Sequence, residues 1–130
     1  MTTTTYLSDQ IIETYFATPT GLYIALHTGD PGTAGTANEL VIGTDANYVR
    51  KAVDFVKSAD GLIYVAKNNA DVVFNAAASG ASYTVTHITV KSASTGGNTL
   101  AVLALVSPLP TVAGTVNSFA TNDIVIRGES

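Results

Sequence analysis

The chain has no cysteine, so no disulfide framework, cysteine-ligated zinc or thiol nucleophile can form, and the redox compartment is left open. Cations are scarce too. Six Lys and Arg residues stand against ten Asp and Glu, for a formal net charge of -4, and no basic cluster occurs. Nucleic-acid binding is therefore not expected, because phosphate neutralisation needs grouped positive charge. Lys51 and Lys57 flank one strand, while Lys67, Lys91 and Arg127 stand alone, and all five are expected as solvated edge residues. The N-terminus lacks the basic and long apolar regions of a secretory signal. The longest apolar run, Leu100 to Val106, falls far short of the roughly 20 residues a bilayer span needs. No membrane partner is expected, and that run reads as a strand buried on both faces.

What is present suits one small core. At 130 residues the chain fits a single domain, with residues 1–20 as an N-terminal arm and helix and residues 21–130 as a β-sandwich. With 46% hydrophobic and only 12% charged residues, it is poor in charge for a free monomer, so partners are expected to cover part of its surface.

Leu22 to Pro31 (LYIALHTGDP) organises the pattern. Leu22, Ile24 and Leu26 alternate with Tyr23, Ala25 and His27 at the two-residue period of a strand, and Thr28 to Gly32 are turn formers. Before it, Ser8 to Ala17 reads as the only helix, with Ser8 as N-cap, a Leu7 to Ile12 staple, and an apolar stripe of Ile11, Ile12, Tyr15 and Phe16. That stripe must dock on the same domain or on a neighbouring subunit. After the loop to Asn38, strands are expected at Glu39 to Ile42, Tyr48 to Val56, Leu62 to Lys67, Val72 to Asn75, Tyr83 to Lys91, Thr99 to Val106, Thr115 to Ala120 and Asp123 to Arg127. The apolar parity changes inside Tyr83 to Lys91, which predicts a bulge near His87. Ser94 to Asn98 predicts a hairpin turn, and Pro108 and Pro110 are expected to end the strand that follows. The fold class is mainly β, an antiparallel jelly-roll-like β-sandwich of about eight strands with one short N-terminal helix.

Candidate chemistry is sparse. His27, Asp30 and Glu39 lie close enough in sequence for an acid-base or metal site, but Asp30 before Pro31 is better read as a turn cap and His27 as a strand residue. His87 has no Gly-x-Ser-x-Gly elbow to serve, and Gly29 to Gly35 lacks the Gly-Lys-Ser/Thr that closes a phosphate loop. The acidic turns at Asp45, Asp60, Asp71 and Asp123 lack calcium-loop spacing and read as turn residues. The aromatics Tyr23, Tyr48, Tyr64, Phe74 and Tyr83 are scattered over several strands, as packing residues are. No catalytic residue, cofactor or metal is expected.

Four segments in fixed order, Leu22 to Pro31, Asn47 to Phe55, Thr86 to Ile88 with Gly96 to Leu100, and Pro108 to Gly114, carry a resemblance. Together the chain resembles a group of small tailed-phage virion proteins, described as head decoration or tail-fibre-like proteins. The resemblance implies a structural, non-enzymatic role in which His27, Asp30, Tyr48 and Arg50 set loop geometry or a subunit contact. The group more often carries an acidic residue near Ser92 to Ser94, missing here, which speaks against a metal or salt bridge there. The expected function is capsid decoration by a homo-oligomer, a trimer, bound to the major capsid protein or other virion proteins. The alternative is a tail-fibre or baseplate module binding a tail protein or a host glycan. Partner contacts are expected at Thr2, Thr3, Thr4, Thr5 and Tyr6, lying as an added strand on another chain's sheet edge, and at Gly29, Asp30, Pro31 and Gly32.

Overall fold

In the computed structural model, which describes residues 4–128, the chain enters through a helix that starts earlier than expected. Helix α1 spans Thr5–Ile12, and its cap is Thr4, whose hydroxyl accepts from the Leu7 N–H at 3.2 Å. Ser8 is not the cap. It is fully buried inside the helix, and its Oγ accepts from the Tyr64 N–H at 2.7 Å. Leu7 and Ile12 both lie within the helix, so they form no staple. The last turn widens into a π-turn over Glu13–Ala17, closed by Thr18 N–H on the Glu13 carbonyl at 2.9 Å. Ile12 and Phe16 point into the core of the same chain, where the Phe16 ring meets Phe55 edge-on at 5.9 Å.

Nine strands follow: β1 Leu22–His27, β2 Lys51–Val53, β3 Phe55–Asp60, β4 Ile63–Asn68, β5 Val72–Val73, β6 Ser82–Lys91, β7 Thr99–Val112, β8 Ser118–Phe119 and β9 Val125–Arg127. They form sheets in the orders β2-β1-β6-β7, β3-β4-β9 and β5-β8, and every pairing is antiparallel. Leu22, Ile24, Leu26, Val85, Ile88 and Val90 from the first sheet share one core with Phe55, Ala66 and Ile126 from the second. The mainly β, antiparallel architecture with one short helix is as the alternation predicts. Among the described residues no helix is long and apolar enough to cross a membrane.

Three departures have physical causes. The strand expected over Tyr48 to Val56 breaks at Asp54, where the chain leaves the first sheet for the second, so Val53 pairs with Leu22 and Phe55 with Asn68. Glu39 to Ile42 shrinks to a single bridge between Glu39 and His27. The run expected to be buried on both faces is an edge strand: β7 pairs only with β6, and Val102 and Val106 are 42% and 103% exposed. Because it is an edge, Pro108 and Pro110 do not end it, and β7 continues to Val112. The bulge near His87 is present. Val85 faces Leu109 and His87 faces Ala104, so Leu105 to Pro108 loop out opposite Thr86 alone.

Candidate functional site

The polar residues singled out in the sequence converge where β1 ends. Loop Thr28 to Asn38 folds back on the sheet, held by the Thr28 N–H on the Asn38 carbonyl at 3.0 Å. Asp30 is the turn cap it was expected to be: its Oδ1 accepts from the Gly32 N–H at 2.9 Å, and the Asn38 amide donates to its carbonyl at 2.9 Å. Pro31 is buried. Gly35 sits at φ 71° against Thr99 so tightly that a Cβ would overlap the Thr99 side chain. Lys91 is the correction here. Rather than a solvated edge residue it is buried, with Nζ donating to the Gly35 carbonyl at 2.7 Å and to Thr99 Oγ1 at 2.6 Å. Burial among neutral partners pushes its pKa below the ordinary lysine value.

Beside it, the Glu39 carboxylate accepts from Arg50 Nε and Nη2, each at 2.8 Å, and from the Tyr48 hydroxyl at 2.8 Å. This is a two-point guanidinium clamp. Arg50 Nη1 donates to the carbonyls of Ala93 at 2.9 Å and Gly96 at 2.8 Å, so one side chain ties the start of β2 to the β6–β7 turn. Burial alone would raise the Glu39 pKa, but the Arg50 and Tyr48 hydrogen bonds outweigh it and hold the carboxyl below its ordinary range. Burial raises the Tyr48 phenol, although it accepts from the Leu26 N–H at 3.1 Å, and the Glu39 charge adds to the rise.

His27 is fully buried with both ring nitrogens occupied. Nδ1–H donates to the Ala37 carbonyl at 2.8 Å, and Nε2 accepts from the Thr89 hydroxyl at 2.8 Å. Burial lowers its pKa, keeping the ring neutral. His87 faces His27 across β1 and β6 and is bonded to its neighbour Thr86 at 2.8 Å. A second cluster was not legible in the sequence. Asp45 accepts from the N–H groups of Asn47 and Ala78, each at 3.0 Å, and from the Tyr83 hydroxyl at 2.7 Å. These bonds outweigh burial and lower its pKa.

These hydrogen bonds fix the loops around the end of β1. Among the described residues every buried polar side chain has a partner, and no three His, Asp or Glu groups converge to hold a metal. Tyr48 stacks on Phe74 at 6.5 Å, and Phe74 meets Phe119 edge-on at 6.3 Å, so these aromatics pack rather than form a platform. Above the Glu39–Arg50 pair a hollow of about 510 Å³ opens between Leu40, Ile42, Val49 and the Ser94 to Gly96 turn. Its rim is apolar, with Ile42 72% and Val49 50% exposed.

The expected partner residues do not gather at this hollow. Thr2 and Thr3 lie outside the described residues. Thr4 caps α1 with extended backbone, Thr5 begins it and donates to the Leu62 carbonyl at 2.8 Å, and Tyr6 is exposed on the helix, so Thr5 and Tyr6 are helical rather than part of an extended added strand. Gly29 to Gly32 form the separate turn after β1.

Three of the groups with lowered pKa values give a pH dependence on the acid side. Glu39, Asp45 and His27 all sit below their ordinary values of 4.5, 3.8 and 6.5, so the unfolded chain binds protons that the folded chain refuses. Stability is therefore expected to fall as pH drops below 6.5, first through His27, and more steeply below 4.5 as the carboxylates titrate. Denaturant titrations across this range check it. In a His27→Asn variant the slope just below pH 6.5 should vanish, whatever its absolute stability.

A search of curated proteins finds no match to this chain. A family model described as podophage GP4 fiber I protein gp80 matches residues 2–127, which takes in α1, all nine strands and the Glu39–Tyr48–Arg50 cluster. The chain therefore belongs to the podophage GP4 fiber I protein gp80 family and is a structural protein of a small tailed-phage virion.

Proposed function

We propose that this protein is a fibre module of the virion, folded as one domain, that joins other virion proteins by contact and performs no catalysis. The family match over residues 2–127 carries the reading, because it spans the fold rather than one segment of it. The loop end supports it. Arg50 and Glu39 hold the β2 and β6–β7 ends rigid, while Ile42 and Val49 stay exposed around the hollow above them. A rigid, apolar, concave end is suited to receiving an apolar side chain of a partner. We place the docking surface there rather than on the Gly29 to Gly32 turn, whose polar groups bond internally.

Gold-labelled antibodies on intact particles test the placement. Label at the tail is the expected result. Label spread over the head would overturn the fibre reading in favour of the capsid decoration that the resemblance also allows. Ile42→Lys, at an exposed position, is expected to leave the unfolding temperature unchanged while cutting the protein recovered in purified particles at least ten-fold. Normal incorporation of that variant would remove the hollow from the interface.

A further inference from the structure

Most sheet edges among the described residues are short or guarded. β2 has three residues, carries Lys51 and is followed by Asp54, and β9 has three and carries Arg127. β3 carries Lys57 and Asp60 and has the π-turn packed on it, while β5 and β8 have two residues each. β7 is different. It has 14 residues, pairs on one side only, and lies in a stretch with no charged residue from Ser92 to Asn122.

The two halves of β7 are built differently. From Leu105 onward the edge is blunted by the bulge and by Pro108 and Pro110, which have no N–H to offer. From Leu100 to Ala104 there is no proline and no charge, and the ladder with β6 is regular from Ala101 to Ala104, so among the described residues the outward row of backbone donors and acceptors is free. Natural sheets rarely leave such an edge open unless something pairs with it.

We propose that the Leu100 to Ala104 edge pairs, antiparallel and about a two-fold axis, with the same segment of a second copy, fusing two four-stranded sheets into one. A second copy is the occupant that the charge pattern favours. The edge offers no counter-charge to a charged strand, and two copies bring no like charges together. The pleat agrees. A two-fold pair keeps both faces matched only when residues of equal parity lie opposite each other, and an axis at Val102 does this, setting core-packed Ala101 opposite core-packed Leu103. The space beside the edge agrees as well. A groove of about 420 Å³ runs between β7 and β9, floored by Ile11 and Phe16, with Leu103 on its wall. Five residues of edge alone bury less than the roughly 800 Å² per partner of a stable interface, and side chains of the second β7 entering this groove enlarge the contact.

This interface goes beyond the proposed fibre role and is tested on the isolated full chain, so the two fail separately. Sedimentation of the purified protein at tens of micromolar is expected to show a dimer. Ala104→Lys, which sets like charges beside the axis, should weaken dimerisation at least ten-fold with the unfolding transition of the monomer retained. Because the chain has no cysteine, Val102→Cys adds an independent reading. Mild oxidation should link most of it into a covalent dimer, while Val49→Cys, exposed elsewhere, should not link above background. Should Ala104→Lys fail to fold, the cysteine pair decides. A monomeric wild type, a trimer untouched by Ala104→Lys, or equal linking at both cysteines would overturn the proposal.

Discussion

Arg50→Ala is expected to lower the unfolding free energy by about 3 kcal/mol, the lower end of what removing one partner of a buried ion pair does. The lower end applies because the pair is not sealed: the side chains are 10% and 22% exposed for Arg50 and Glu39. The loss has two sources. Glu39 keeps its desolvation but loses its guanidinium, so burial then governs its pKa and drives it upward. The carbonyls of Ala93 and Gly96 lose their donor, and the β6–β7 turn loosens. Urea unfolding should show a lower midpoint with an unchanged slope. Amide exchange should quicken at Asn98 and Leu40, which bond to Ser92 Oγ and the Leu26 carbonyl, before it does in the β-strands. Arg50→Lys should recover only part of the loss, since an ammonium cannot hold both Glu39 oxygens and both carbonyls in one plane. Equal stability of Arg50→Ala and wild type would mean that the clamp does not hold the loop end.

Phe16→Ala is expected to have the largest effect, about 3–5 kcal/mol and a drop of roughly 10–20 °C in unfolding temperature. Phe16 sits on the inner side of the π-turn and is buried against Phe55, so the change removes a ring from the centre of the shared core. The decisive feature is cooperativity. Loss of far-ultraviolet helix signal and loss of sheet signal should move together to the lower temperature, because α1 packs on β4 and β9 and the π-turn on β3. A variant that lost its helix at low temperature but kept the sheets to the wild-type temperature would show instead that the N-terminal segment is an appendage.

Local patterns in the sequence carried local structure. The alternation of Leu22, Ile24 and Leu26 is β1, the parity change before Ile88 is a real bulge, and Gly96 and Gly97 both adopt the positive φ their turn needs. What failed was decided by distant residues. Thr4 and Ser8 are equally good caps in isolation, and the choice falls to Thr4 because Ser8 is claimed by the Tyr64 backbone and pressed by Gly128. A strand rich in Leu, Ala and Val reads as interior, yet its place at an edge depends on sheet order, which side-chain alternation does not encode. Lys91 is buried because a loop some fifty-six positions away in sequence lies over it, and Asp45 meets Tyr83 across thirty-eight. For the site, Tyr48 and Arg50 stood out through their resemblance, while the role of Glu39 as their common acceptor needed the fold.

The pairing of β4 with β9 bears on how the chain comes to be folded. Val65 finds Arg127, and Ala66 finds Ile126, only after almost all of the described chain has been made. The β6–β7 hairpin can close early, and β3 can zip to β4 through its tight turn, but the second sheet lacks its third strand until Val125 to Arg127 have been made. Closing such loops is slow, so folding in milliseconds to seconds rather than microseconds is the expected regime. During that interval the neutral β7 segment is already extended and its neighbouring sheet incomplete, which makes the nascent chain most prone to sticking before β9 arrives.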